Sequence, residues 1–169
     1  MTDDYGGLIG AFPYAFRASD SLLFRSYIVV GTVATAAVSL LFVTALVGVI
    51  AATSGGRGGS LTLSRSFFAV VGLFVVVPLV APVLLVARRH RRVGGHATRY
   101  DAALAATGYL FLLSLYVGLV ISVPPAQQTT PTGVLAPAVA VLYALPQLAG
   151  VAPPLLAATV ELGCHRLLR

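Results

Sequence analysis

The sequence predicts an all-α fold: a polytopic membrane protein with four transmembrane helices in an antiparallel bundle and both termini cytoplasmic. Three observations lead there. First, the stretches 27–52, 66–87, 102–123 and 134–160 contain no Asp, Glu, Lys or Arg, and each exceeds the ~20 apolar residues that cross a bilayer core as a helix. Second, hydrophobic residues make up 58% of the chain and charged residues 9%, against about 25% charged in a typical soluble domain. Third, runs such as VVGLFVVVPLVAPVLLVA lack the alternating polarity of a barrel strand. Lipid offers no partners to backbone groups, so a spanning chain is a closed barrel or a set of helices, and the pattern leaves helices.

The elements follow in order. Residues 1–26 form a cytoplasmic or interfacial segment. Leu8, Ile9, Phe12 and Phe16 recur near helical spacing, with Arg17 and Asp20 off the stripe. That pattern fits a short amphipathic helix on the cytoplasmic leaflet. Gly6, Gly7, Gly10 and Pro13 weaken a helix and fit an irregular arm equally well. Asp20 or Ser19 is a reasonable N-cap for the first span, and Arg25 reaches toward the headgroups. The start MTDDYGG is acidic and lacks the basic leader of a signal peptide, so 27–52 reads as a retained span. The four spans are 26, 22, 22 and 27 residues long, joined by connections of 13, 14 and 10. Links this short place consecutive helices side by side and antiparallel. Pro78 and Pro82 lie in the second span and Pro137, Pro146, Pro153 and Pro154 in the fourth. Such residues kink helices, and broken helices form sites in some transporters, but they also occur where no site exists. Residues 161–169 form a cytoplasmic tail, and no internal repeat is visible.

Orientation follows from the basic residues. All eleven are Arg, and the formal net charge is +6. Nine of them (Arg17, Arg25, Arg88, Arg89, Arg91, Arg92, Arg99, Arg166, Arg169) fall on one side of a four-span topology, and Arg57 and Arg65 on the other. The positive-inside rule then makes both termini cytoplasmic, in the plasma membrane. The same bias accounts for the basic balance, so nucleic acid is not an expected partner. Arg88, Arg89, Arg91 and Arg92 are candidates for contact with anionic lipid headgroups, at ~1 kcal/mol each; a purely topogenic role explains them as well.

Small residues mark where helices approach closely in lipid. Gly31, Thr35 and Ser39, then Ser114, Gly118 and Ser122, then Ala136, Ala140 and Ala144 form such stripes, within one bundle or between copies. Tyr27 and Tyr100 fit interfacial aromatic belts.

A search for chemistry yields little. An ionisable residue inside the membrane is a functional hypothesis by default, and no span has one at its centre. Asp101 and Glu161 stand at the cytoplasmic ends of the third and fourth spans, as boundary acids in solvent or partners of Arg99 and Arg166. This pattern argues against a proton-coupled pump. Gln147, after Pro146, is the strongest intramembrane polar group. It either bonds a carbonyl freed by a proline or, with Tyr143 one turn earlier, marks a small polar site. His90 and His96 with Asp101 are poor metal ligands, because flanking Arg residues repel a cation and the spacing matches no zinc pattern; neither metal nor cofactor is expected. SGGRGGS at 54–60 lacks the Lys-Ser/Thr of a phosphate loop. Cys164 is the single cysteine, so no internal disulfide forms, and Cys164–His165 has no clear third partner for nucleophilic catalysis. No GxSxG, HExxH or CxxC occurs.

The Arg-only basic usage, the richness in Ala, Val, Gly and Pro, and the segments GAFPYAFRASDSLLFR, PLVAPVLLVARRHRR and RYDAALAATGYLF resemble small, uncharacterised four-span membrane proteins of halophilic archaea. The resemblance covers nearly the whole chain and implies no activity. The expected function is therefore that of a non-enzymatic accessory or self-associating subunit, whose partners are the bilayer and either a second copy or another membrane protein. Two alternatives stand beside it. One is a carrier or channel for a neutral or apolar solute, through the proline-broken fourth span. The other is a lipid-handling enzyme at the cytoplasmic face, built on Asp101 and Glu161.

Overall fold

The computed structural model describes residues 7–54, 59–93 and 98–168. Arg57, His96, Arg169 and the centre of the glycine-rich loop lie outside the described residues. Within them the chain is helical: α1 (Gly7–Ala18), α2 (Leu22–Thr53), α3 (Gly59–Val93), α4 (Thr98–Ile121), α5 (Ala136–Tyr143) and α6 (Ala152–Leu168). A 3-10 turn covers Pro125–Gln127, and a 3-10 helix, Gln147–Val151, leads into α6. Four segments are long and apolar enough to cross a membrane: Leu22–Thr53, Leu63–Arg92, Thr98–Ile121 and Gln147–Leu168.

The first three extend past the uncharged runs on at least one side. α3, for example, continues through Arg88–Arg92 to Val93. Charge marks where lipid ends; the helix continues as long as its backbone hydrogen bonds do. The stretch 134–160 behaves differently. It divides into α5, a non-helical joint at 144–146, the 3-10 helix and α6. Pro146 has ψ 137°, and a proline disfavours helical backbone in the residue before it. Pro137 and the Pro153–Pro154 pair fall in the first turns of α5 and α6, where the missing N–H has no intrahelical partner to lose. Pro78 and Pro82 lie inside α3 without interrupting it, so a proline alone does not break a helix here.

Residues 7–18 are helical, which resolves the choice between helix and arm. The face that packs is Ala11 and Ala15, fully buried beside Val83, Val86 and Ala87 of α3, while Phe16 remains outside beneath the Arg25 guanidinium, 5.5 Å from its ring centre. Small side chains let α1 lie close to α3. The N-cap of α2 is Ser21, whose hydroxyl oxygen accepts from the Phe24 N–H at 3.3 Å. Asp20 and Ser19, the expected caps, are otherwise placed, Ser19 because its hydroxyl donates elsewhere.

α4 is the central element. It packs against α2, α3, α5, α6 and the 3-10 helix, and its buried residues, among them Asp101, Leu104, Gly108, Phe111, Ser114, Gly118 and Ile121, recur every three or four positions. Tyr27 of α2 lies across it, fully buried and not in an interfacial belt. Its hydroxyl donates to the Leu79 carbonyl at 2.7 Å, next to the Pro78 carbonyl that Pro82 leaves without an N–H partner. Its ring meets Tyr109 edge-on at 5.3 Å and occupies the space where a Cβ on Gly108 would stand, 2.3 Å from Tyr27 Cζ. Tyr27→Phe keeps the ring and removes the hydroxyl. A loss of ~1 kcal/mol in unfolding free energy is expected, measured by denaturant titration in mixed micelles; an unchanged midpoint would show that the hydroxyl contributes nothing.

At the far end of α2, Arg65 of α3 donates through Nη2 to the Thr53 hydroxyl at 2.7 Å and the Thr53 carbonyl at 3.0 Å. A cation at a helix C-terminus satisfies its last carbonyls and opposes its dipole. One of the two minority-side Arg residues thus has a structural task.

Candidate functional site

The polar side chains gather where α1 turns into α2, α3 ends and α4 begins. The residues at this turn bring Ser19 against the first turn of α4, and His90, in the last turn of α3, reaches the same place. Asp101 lies between them with no solvent exposure. Ser19 Oγ donates to Asp101 Oδ2 at 2.6 Å. His90 Nε2 lies 2.9 Å from Oδ2 and 3.2 Å from Oδ1, and against a carboxylate this nitrogen carries the proton. The Ser21 N–H donates to Ser19 Oγ at 3.2 Å, and Arg25 Nε donates to the Ser19 carbonyl at 2.9 Å. The carboxyl therefore joins the turn after α1 and the end of α3 to the start of α4, the first across 82 positions of sequence.

A second group adjoins the first. Tyr100, next to Asp101, is hydrogen-bonded to His165 Nδ1 of α6 at 2.7 Å. The Arg89 guanidinium lies over the Tyr100 ring, 4.1 Å from its centre, and also donates to the Leu168 carbonyl. Arg89 thereby caps α6 and stacks on an aromatic face, a double contact suited to a planar cation.

The sequence-derived candidates are distributed as follows. Arg88, Arg91 and Arg92 are exposed at the end of α3, and Arg89 is half-buried and engaged as described. Tyr143 closes α5, half-buried, and Gln147 opens the 3-10 helix, exposed. The polar contact near them is a long one, from Ser122 Oγ to the Gln147 carbonyl at 3.4 Å. Asp101 bonds Ser19 and His90 rather than Arg99, which is exposed. Glu161 is not a boundary acid: it is 3% exposed, and its Oε2 has no hydrogen-bond partner. Among the described residues, no three of the His, Cys, Asp and Glu side chains converge as metal ligands.

Sequence reading missed the role of Ser19 and the burial of both acids. His90 and Asp101 gave a faint signal, since each lies at the end of its helix next to a short connection. Ser19 gave none. Glu161 was misplaced because the charge-free run stops at 160, whereas α6 continues to Leu168.

The chain is thus a small multi-pass helical membrane protein with a closed polar cluster at its Arg-rich end. Residues 1–169 match the family described as Domain of unknown function (DUF8056), and the chain belongs to that family. No curated protein and no solved structure matches it.

Proposed function

We propose that this protein is a non-catalytic subunit of the plasma membrane, with antiparallel spans and both termini cytoplasmic, that works by associating with a second copy or another membrane protein. The carrying observation is that Asp101 accepts from both Ser19 and His90. A nucleophilic relay places the imidazole between hydroxyl and carboxyl. Here the carboxyl stands between them, and the arrangement ties α1, α3 and α4 together. Further support comes from α5, which has no buried residue, with Val134 and Leu148 at 95% and 87% exposure beside it; this apolar surface suits lipid or a partner helix.

Orientation rests on the Arg distribution, strengthened by the engagement of Arg65 with Thr53. Arg88, Arg91 and Arg92 then face the anionic headgroups of the cytoplasmic leaflet, with Arg89 reserved for α6. The solute-carrier alternative draws on Tyr143 and Gln147, whose exposure favours it less.

Crosslinking in native membranes followed by mass determination in lipid nanodiscs tests the reading. Dimers or higher species, or one reproducible membrane partner, are expected. A monomer with no crosslinked neighbour would rule it out. In parallel, a C-terminal fluorescent-protein fusion is expected to fluoresce, and alkaline phosphatase inserted after Gln128 to be active.

A further inference from the structure

Glu161 has no part in the cluster that carries the proposed function. It lies on α6, which packs against α4 and α3. The groups that could neutralise it are engaged elsewhere. From α3, Arg89 is bound to Tyr100 and Leu168, and His90 to Asp101. From α4, Asp101 and Tyr100 bond His90 and His165. From α2, the Tyr27 hydroxyl interacts electrostatically with Glu161 but donates to Leu79. On α6 itself, Cys164 also interacts with it electrostatically, and Arg166 follows in the last turn. Among the described residues none forms an ion pair with Glu161.

A buried carboxylate without a partner is costly enough that it takes up a positive counterpart. The register of α6 limits which. Ala157, Glu161 and His165 follow at four-residue steps and share a face. Ala157 packs with Leu79 and Phe111, an apolar layer that is nearly solvent-free. His165, one turn the other way, is joined to Tyr100 at the Arg-rich end. Glu161 thus stands between an apolar seal and a titratable histidine. Among the described residues no second acid or ligand set accompanies it to hold a metal ion.

We propose that Glu161 is an exchangeable proton-binding site open toward the Arg-rich end of the bundle and closed beyond it by Leu79, Phe111 and Ala157. The step is simple protonation: the carboxylate takes a proton from water at that end and returns it there, with no redox change. The site goes beyond the subunit reading, which stands or falls on association.

Dicyclohexylcarbodiimide, which attacks protonated carboxyls in apolar surroundings, is the probe. In nanodiscs the wild type is expected to take a label that maps to Glu161 by peptide mass, with labelling that increases as pH is lowered. Glu161→Gln takes no label at that position, and Glu161→Asp retains it. Infrared spectra are expected to show a protonated-carboxyl stretch that shifts in D2O and is lost in Glu161→Gln. In oriented proteoliposomes the labelled fraction follows the pH on the side bearing the C-terminal tail. Absence of label on Glu161, labelling that ignores pH, a stretch insensitive to D2O, or dependence on the opposite side overturns the proposal. Protection by sodium at constant pH overturns it in favour of a metal cation.

Discussion

Asp101→Ala is expected to destabilise the fold by about 2–6 kcal/mol, the scale for leaving two buried donors without their acceptor, and to release α1. The carboxyl is the common acceptor for Ser19 and His90. Without it the Ser19 hydroxyl and the His90 N–H lose their acceptor at a buried place, and each unsatisfied donor costs about 1–3 kcal/mol. The damage reaches α1 because Ser19 follows its last turn, and because Ala11 and Ala15 supply little apolar area to hold it to α3. Asp101→Asn retains one acceptor oxygen and is expected to lose about half as much. Hydrogen exchange across 7–18, followed alongside the unfolding midpoint, separates local release from global loss. Protection of those amides equal to wild type in Asp101→Ala would show that the latch does not hold the helix.

Gly150→Ala and Gly118→Ala are each expected to cost about 3 kcal/mol, the upper part of the range for overpacking. Here two backbones meet without side chains between them. A Cβ on Gly150 would stand 2.2 Å from Ser122 Oγ and 2.6 Å from the Gly118 carbonyl oxygen; one on Gly118 would stand 2.4 Å from the Gly150 carbonyl oxygen. Side chains can rotate away, but carbonyls cannot without moving α4 or the 3-10 helix. Ser122→Ala in the Gly150→Ala background should recover a minor share, since the Gly118 carbonyl still obstructs. Gly163→Ala is the control: a Cβ there meets nothing within 4 Å, and a gain of up to about 1 kcal/mol from helix propensity is expected. Resistance to unfolding in SDS–detergent mixtures reports all of them. If Gly150→Ala matched Gly163→Ala, the close approach would carry no energy.

The same glycines illustrate what can be read from a chain. Ser114, Gly118 and Ser122 were visible as a small-residue stripe, and Gly118 and Ser122 do meet Gly150. Ala136, Ala140 and Ala144 looked equivalent, yet Ala140 and Ala144 are exposed. A stripe records that close approach is allowed, not that a neighbour is present. The prolines show the same limit: six lie in the two spans, and Pro146 alone falls at a break between described helices, while Pro78 and Pro82 sit inside an unbroken α3.

By itself, the sequence determined that this chain is helical and apolar over four membrane-length segments, and where the positive charge collects. Hydropathy is a sum over neighbouring residues, and neighbouring residues are what a sequence displays. Only the tertiary structure decided that Ser19 bonds Asp101 across 82 positions, that Tyr27 lies on Gly108, and that Glu161 is buried with its Oε2 unpartnered among the described residues. Those facts depend on which helix faces lie together, and in a chain with polar groups this sparse no periodicity marks the faces.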